Sequence, residues 1–317
     1  MCEWVARAAV EATGKRPIVV YGSGGSALPD YFGDRCSYAL QQERKGTGHA
    51  VLCAKQQIIE SGSDYVVVLA GDMPLMRADS IKRLCEYTEN GRYGAMILTA
   101  ILPDPTGYGR ILRDDMGGVK GIIEHKDATD AQRAINEVNI SVYCFETAAL
   151  LRNLEKLTPN NKNGEYYLTD TIELIRNEGA KVGALPLEDY TEGEGVNDKR
   201  QLAACAKILR ERINDAHMLN GVTMIDPESC YIDADVKIAR DAVIYPGVVI
   251  EGGSVIDEGA VIYQGSRIVN SHIGKDASVQ NSVLIDSVVG AHTQVGPYAY
   301  LRPGSNIGEN CRIGDFV

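Results

Sequence analysis

The sequence predicts an α/β domain of mostly parallel strands followed by a solenoid of short triangular coils. Three observations carry this expectation. From Ile232 onward an apolar residue recurs every six positions. The preceding two-thirds alternate strand-like and helix-like segments, the pattern of a parallel α/β sheet. Between these regions lies one long amphipathic helical pattern, about Asp198–Leu219, ended by Asn220-Gly221.

The α/β region opens on a helix, Cys2–Thr13. Ile18–Tyr21, Tyr65–Ala70, Ala95–Leu102 and Val138–Phe145 read as short buried strands. Gly48–Ser61 reads as a helix. A second helix starts near Asp79 with Ile81, Leu84 and Cys85 on one face, and a third covers Thr169–Asn177, capped by Thr169 or Asp170. Asn197 opens the long helix, whose Leu202, Cys205, Leu209 and Ile213 share a stripe, making it the natural bridge to the solenoid. The expected boundaries are 1–196 for the α/β domain, 197–221 for the linker helix and 222–317 for the solenoid.

In the solenoid Ile232, Ile238, Ile244, Ile250, Ile256, Ile262 and Ile268 keep strict register. The beat resumes at Ile273 and Val279, then runs through Val289, Val295, Leu301, Ile307 and Ile313. A period of six fits neither helix nor simple strand alternation. It fits coils with one hexapeptide per side, each periodic side chain stacked on its equivalent one coil away. Gly247, Gly253, Gly259, Gly265, Gly274, Gly290 and Gly296 suit the corners. An antiparallel sandwich with evenly spaced strands is the competing reading, disfavoured by the unbroken register.

Net charge is −11, which argues against nucleic acid or an anionic membrane as a bulk partner but leaves room for a nucleotide. The eight cysteines include no C-x-x-C, and the five histidines show no metal-ligand spacing, so neither a zinc site nor a redox pair is supported. No apolar run is long enough to span a bilayer, and residues 1–10 lack the layout of a signal peptide. A cytoplasmic protein is expected.

Several short blocks are candidates for chemistry. Gly71-Asp72-Met73-Pro74-Leu75 follows a strand, where open α/β sheets bind ligands, and a carboxylate there suits Mg²⁺ on a phosphate. A turn aspartate is the plainer reading. The polar loop from Gln41 through Gly46, Thr47 and Gly48 offers groups that read a base edge, or is simply a helix start. Thr106-Gly107-Tyr108-Gly109-Arg110 fits a hairpin turn equally well, and Glu124-His125-Lys126-Asp127 fits a solvated charged turn. Gly22-Ser23-Gly24-Gly25 lacks the Lys-Ser/Thr of a phosphate loop and is set aside.

In combination these blocks are specific. Gly46-Thr47-Gly48-His49-Ala50, Ala70-Gly71-Asp72-Met73-Pro74-Leu75, Gly107-Tyr108-Gly109-Arg110-Ile111, Glu124-His125-Lys126-Asp127-Ala128, Asn139, Gly164–Asp170 and Glu194-Gly195-Val196-Asn197 occur in order. The hexapeptides and Leu301-Arg302-Pro303-Gly304 follow. Over nearly its whole length the chain resembles the bacterial bifunctional UDP-N-acetylglucosamine pyrophosphorylase / glucosamine-1-phosphate N-acetyltransferase family. The resemblance implies a Rossmann-like nucleotidyltransferase domain and a left-handed parallel β-helix. It implies that N-acetylglucosamine-1-phosphate attacks the α-phosphorus of UTP, giving UDP-N-acetylglucosamine and pyrophosphate. Such a reaction needs positioning and charge neutralisation more than covalent help. Asp72 and Asn197 would hold Mg²⁺. Gln41, Gly46 and Thr47 would face uracil, Ala70 and Gly71 the ribose, and Gly109, Glu124 and Asn139 the sugar. The β-helix would trimerise and transfer acetyl from acetyl-CoA, with Arg302 in the acceptor site.

The chain also departs from that pattern. The family's leading strand, its Leu-Ala-Ala-Gly-x-Gly-Thr-Arg loop and a phosphate-contacting Lys are expected to precede residue 1, a unit of ~30 residues. The missing strand would be central, between Ile18–Tyr21 and Tyr65–Ala70, so that these either close up or leave a groove. The His general base and CoA pocket are expected beyond Val317. The chain as it stands is therefore expected to be inactive or nearly so, with the α/β half less stable than the solenoid. Asn139-Ile140-Ser141 stands where the family commonly has Asn-Thr-Gly. Two rival readings are a sugar-1-phosphate nucleotidyltransferase of other specificity and a non-catalytic assembly subunit.

Overall fold

The computed structural model describes residues 1–316; Val317, the last residue of the expected solenoid, lies outside the described residues. The chain divides into two compact units, Met1–Gln201 and Leu202 onward.

The first unit begins with α1 (Cys2–Thr13), β1 (Ile18–Gly22), α2 (Ala27–Phe32) and β2 (Ser37–Gln41). The next elements are α3 (Thr47–Cys53), α4 (Lys55–Ser61), β3 (Tyr65–Leu69), α5 (Ala78–Gly91) and β4 (Ala95–Ile101). Then come β5 (Gly109–Arg113), β6 (Val119–Ile123), α6 (Asp130–Arg133), β7 (Glu137–Glu146), α7 (Thr147–Leu154), α8 (Asp170–Asn177) and β8 (Val182–Pro186).

The strands expected from sequence are present, but the sheet is not mostly parallel. β7 runs antiparallel to β3, β4 and β5, and β5 runs antiparallel to β6. Within the first unit, β1–β2 and β4–β8 are the only parallel pairs among the described residues. The reason is connectivity. From β4 to β7 the strands are joined by short turns and the four-residue α6, too short for parallel crossovers.

The expected helix Gly48–Ser61 is also two helices. Ala54 has φ −90° and ψ 2°, and its N–H turns to the Val51 carbonyl at 3.0 Å, breaking the α pattern.

Alternation along β7 sorts two cores. Val142 and Cys144 face a cluster with α1 and α5 (Ala8, Ile81, Leu84). Tyr143 and Phe145 face the opposite cluster with α3, α4, α7 and α8 (Val51, Ile58, Leu150, Ile172). β1 and β2 form a separate two-stranded sheet, and no ladder joins β1 to β3 among the described residues. The two strands have not closed up. A cleft of about 1200 Å³ runs between them.

The second unit contains most of α9 (Lys199–Leu219) and the short strands β9 (Thr223–Met224) through β24 (Arg312–Ile313). The strands stack into three parallel sheets. One carries Ile232, Ile250, Ile268, Leu284 and Leu301 in register, and another Ile238, Ile256, Ile273, Val289 and Ile307. The third runs from Met224 through Ile244, Ile262, Val279 and Val295 to Ile313. Each fully buried Ile contributes about 1.5–3 kcal/mol, and the columns make that contribution continuous from coil to coil. Leu284 fills the stretch where the sequence beat was irregular. Shortened sides flank it, turned at Asn281 and Asp286 with φ 42° and 43°.

Of the glycines expected at corners, Gly253 misses by one residue: Gly252 takes the left-handed conformation, with φ 67°, and a Cβ on Gly253 would meet nothing within 4 Å; the others divide into two kinds. Gly259 and Gly265 have φ 71° and 68°, as expected for left-handed corners. Gly274 and Gly290 do not. They are required for space, because a Cβ there would stand 2.8 Å from Ala291 N and 2.6 Å from Gly308 C respectively. The cap of α9 also differs from expectation. Asp198, not Asn197, accepts the N–H groups of Arg200 and Gln201 at 2.8 Å, and the Asn197 N–H donates to Gln201 Oε1. Leu202 of the predicted stripe is exposed, whereas Cys205 is buried and Ile213 packs on the solenoid core.

Candidate active site

Asp72 stands on the turn after β3. Met73, Pro74, Leu75 and Met76 are all buried, so this turn is anchored by its own apolar residues and presents one carboxylate. The Val196 N–H donates to the Asp72 carbonyl at 2.9 Å, which brings the segment Gly195-Val196-Asn197 against it. A Cβ on Gly195 would stand 3.8 Å from Asp72 Oδ2, ordinary contact distance, so Gly195 lies alongside the carboxylate. Glu192 is buried and accepts the Arg77 N–H at 3.0 Å, tying the two segments a second time. Asp72 is half-buried and Asn197 exposed, and neither side chain makes a hydrogen bond among the described residues.

Gly109, Glu124 and Asn139, the residues expected to meet a sugar, converge. Gly109 pairs with Asn139, and a Cβ on Gly109 would lie 3.4 Å from Glu124 Oε2. The β4–β7 register slips between Leu98–Val142 and Thr99–Asn139, so Ile140 and Ser141 are bulged out. Ser141 has φ 58°, a conformation glycine adopts more readily, at the position where Asn-Thr-Gly was the expected pattern. The bulge re-aims Asn139 inward. Its Nδ2 donates to the Tyr143 hydroxyl at 2.7 Å and its Oδ1 accepts the Ser141 N–H at 3.1 Å. One amide hydrogen remains for a ligand.

Burial pushes the Glu124 carboxyl above its ordinary pKa. The Thr169 hydroxyl, donating at 3.2 Å, opposes that shift, while Asp170, Asp127 and Glu165 reinforce it. Thr169 is thus engaged at the site instead of capping α8.

In the loop expected to face a base, the Gln41 amide donates to the Gly46 carbonyl at 3.1 Å and meets His49 Nδ1 at 3.1 Å. Gly46 has φ 105°, and a Cβ there would strike the Tyr166 carbonyl at 2.6 Å. Thr47 Oγ1 accepts the Leu168 N–H at 3.0 Å. The loop is therefore built on the 165–168 segment. That segment leads to Thr169, which donates to Glu124, so Thr47 and Glu124 are held by one backbone strut.

Thr47, Ala70, Gly71 and Glu124 line the cleft, whereas Gln41, Gly46, Asp72, Gly109, Asn139 and Asn197 are not among its lining residues. Arg302 belongs to the second unit, where it is exposed after Leu301.

Sequence reasoning gave Tyr143 no role at the site, took Thr169 as a helix cap and named Arg110 only within its block. Arg110 is 1% exposed and donates to the carbonyls of Tyr108 and Arg133, with Nη2 3.4 Å from His125 Nδ1. It pins the 124–133 segment. A buried arginine next to glycines is a signal that charge alone does not reveal.

The chain was compared with known proteins. A nucleotidyl transferase family matches residues 29–194, and a GMPPB C-terminal domain matches residues 227–317. A bifunctional protein GlmU of Acetivibrio thermocellus is 46% identical over 317 residues, covering 100% of this chain and 68% of its own length. The GlmU of Clostridium novyi is 50% identical over 280 residues, 88% of this chain and 61% of that protein. The GlmU of Clostridioides difficile is 45% identical over 303 residues, 96% of this chain and 66% of that protein. The chain thus spans about two-thirds of the length of the curated relatives it matches. With a nucleotidyl transferase match over the α/β unit, a hexapeptide β-helix after it and this identity along its whole length, the chain belongs to the GlmU family.

Proposed function

We propose that the α/β unit is the uridylyl-transfer half of a UDP-N-acetylglucosamine synthesis enzyme. In it N-acetylglucosamine-1-phosphate attacks the α-phosphorus of UTP and pyrophosphate leaves. The observation that carries this reading is the common strut: Thr47, through Leu168 and Thr169, is tied to Glu124. One ligand that is a base at one end and a sugar at the other fits that spacing better than two separate ligands.

Glu124 accepts sugar hydroxyls, and its ionised form makes the stronger hydrogen bonds. Asn139, held by Tyr143 and Ser141, offers its remaining N–H to the same sugar. Gly109 leaves the room a side chain would take from Glu124. Ala70 and Gly71 bring bare backbone to the ribose, and Gln41, Gly46 and Thr47 face uracil. Asp72 and Asn197 fit a hard divalent cation. Both offer side-chain oxygens, both side chains are free of hydrogen bonds among the described residues, and their segments are joined at Val196. Mg²⁺ held there would neutralise phosphate charge.

The β-helix would form a homotrimer and carry acetyl transfer from acetyl-CoA to glucosamine-1-phosphate, with Arg302 on the sugar phosphate. No helix among the described residues is long and apolar enough to cross a membrane. A cytoplasmic site, neither nucleic acid nor membrane as partner, and a role in cell-wall precursor synthesis complete the reading.

Calorimetric titration with UDP-N-acetylglucosamine tests it. The expected result is saturable binding that strengthens with Mg²⁺, with the Mg²⁺ dependence lost in Asp72→Ala. Equal affinity with and without Mg²⁺, or tighter binding of UDP-glucose, would refute it.

A further inference from the structure

The Asp72 turn and the segment that carries Asn197 are joined at two points, and the two joints run antiparallel. At one end the Val196 N–H donates to the Asp72 carbonyl at 2.9 Å. At the other the Arg77 N–H donates to Glu192 Oε2 at 3.0 Å. Residues 72–77 and 192–196 thus make a closed frame, with Asp72 on one rail and Asn197 just past the end of the other. Asn197 is exposed and its side chain makes no hydrogen bond among the described residues, so its place beside Asp72 depends on its backbone.

The Glu192 end of the frame is built into the fold. A 3₁₀ turn, Tyr190–Gly193, carries it. Asp189 shapes that turn. Its Oδ1 accepts the Thr191 N–H at 3.1 Å and the Thr191 hydroxyl at 2.6 Å, and its Oδ2 accepts from the Arg77 guanidinium at 3.0 Å. Gly193 is seated on β7, since a Cβ there would stand 2.8 Å from Ile140 Cγ2, so the sheet holds the turn in place. Glu192 is 3% exposed, and a polar group so buried is costly unless it is bonded. The half-exposed Arg77 guanidinium, 3.9 Å from Glu192 Oε1, supplies only a screened attraction. The bond from the Arg77 backbone N–H, short and away from water, is the stronger contact.

We propose that Glu192 is a positioning residue for the divalent cation. By accepting the Arg77 N–H it fixes the far end of the frame and so sets the spacing of Asn197 and Asp72. This rests on the uridylyl-transfer reading, which puts the cation at those two side chains. What matters is a carboxyl oxygen at the full reach of a glutamate, not its charge. Without that bond the frame pivots on the single joint at Val196, and the two ligand oxygens are no longer held ready for a cation.

The test changes reach and charge separately. Glu192→Gln keeps an oxygen at the same reach and removes the charge. Glu192→Asp keeps the charge and withdraws the oxygen by one methylene. Mn²⁺ serves as the probe, a hard cation with the same preference for oxygen ligands. Its uptake by the whole chain, with UDP-N-acetylglucosamine in excess, is followed by the loss of the free-ion EPR signal. The unmodified chain is expected to take up Mn²⁺ saturably, and Asp72→Ala to lose that uptake. Glu192→Gln is expected to hold Mn²⁺ within about threefold of the unmodified chain, and Glu192→Asp to bind it about tenfold more weakly or worse, the usual scale for a residue that orients a metal ligand. A carboxylate acting through its charge alone gives the opposite order, and general loosening weakens both variants alike. Either result would overturn the proposal, as would unchanged affinity in both. Loss of Mn²⁺ affinity in Glu192→Gln overturns it alone, and retention there supports it, even where Glu192→Asp fails to fold. No Mn²⁺ uptake by the unmodified chain refutes the uridylyl-transfer reading, and the role of Glu192 falls with it. With that uptake intact, the Glu192 variants bear on the positioning role only.

Discussion

Tyr143→Phe isolates the contact that aims Asn139. The Tyr143 side chain is 2% exposed and its ring stacks on Phe145 at 5.5 Å between centroids. Phenylalanine preserves that ring, so only the hydroxyl is lost. Asn139 is 5% exposed, and its Nδ2 donates to that hydroxyl at 2.7 Å. An amide hydrogen left unpaired at such burial costs about 1–3 kcal/mol. The assay is urea unfolding followed by the fluorescence of Trp4, the only tryptophan in the chain, which reports the α/β unit. The loss should depend on Asn139. In an Asn139→Ala background Tyr143→Phe should cost less by about 1 kcal/mol or more, well outside the ~0.3–0.5 kcal/mol within which independent sites add. If the two costs add within that margin, the hydroxyl is not holding the amide and the account of Asn139 is wrong. Tyr143→Phe should also weaken UDP-N-acetylglucosamine more than UDP, a difference that general loosening would not produce.

Other outcomes follow from the same geometry. Burial raises the folded pKa of Glu124, so the native state binds its proton more tightly than the unfolded chain, and stability falls as pH rises from the unfolded value through the folded one. Glu124→Gln should therefore raise the melting temperature of the α/β unit at pH 8 and lose that advantage at pH 4. A variant equally stabilised at both values would contradict the desolvation argument. In the β-helix, Gly290→Ala forces a Cβ to 2.6 Å from the Gly308 carbonyl carbon, whereas Gly304→Ala meets nothing within 4 Å and bears only its φ of 83°. Calorimetric melting should show Gly304→Ala costing about 1 kcal/mol and Gly290→Ala distinctly more; the reverse order would undo the account of the two glycine classes. Ser141→Gly relieves a left-handed serine at the β7 bulge and should stabilise the α/β unit by up to about 1 kcal/mol, the strain offset in part by unfolded-chain entropy. Destabilisation in urea would show that the Ser141 side chain contributes more than its backbone costs.

The solenoid was legible because its information is local and repeated. One isoleucine every sixth residue sets the side of the triangle, and the same residues then stack from coil to coil. The irregular stretch around Leu284 was harder, since a five-residue side depends on Asn and Asp accepting left-handed corners, which neither periodicity nor glycine marks. The parallel-sheet expectation failed at β7 because strand direction depends on the length of the connections, and α6 is too short to be a crossover. Asp198 took the cap expected of Asn197 because both residue types cap well and only backbone position chooses between them.

At the candidate site, sequence alone determined the inventory: Asp72 after a strand, Gly109 before Arg110, Glu124 after another strand, and Asn139 further on. Each block alone fits a plain turn or loop; their order along the chain, through the family resemblance, made them candidates. Only the tertiary structure decided how these residues act together. The slip of register at Ile140–Ser141 turns Asn139 inward, Leu168 and Thr169 link Thr47 to Glu124, and Val196 joins Asp72 to Asn197. Whether β1 and β3 close up or leave a groove was likewise left to the tertiary structure, because strand pairing is a long-range contact that local propensity does not fix.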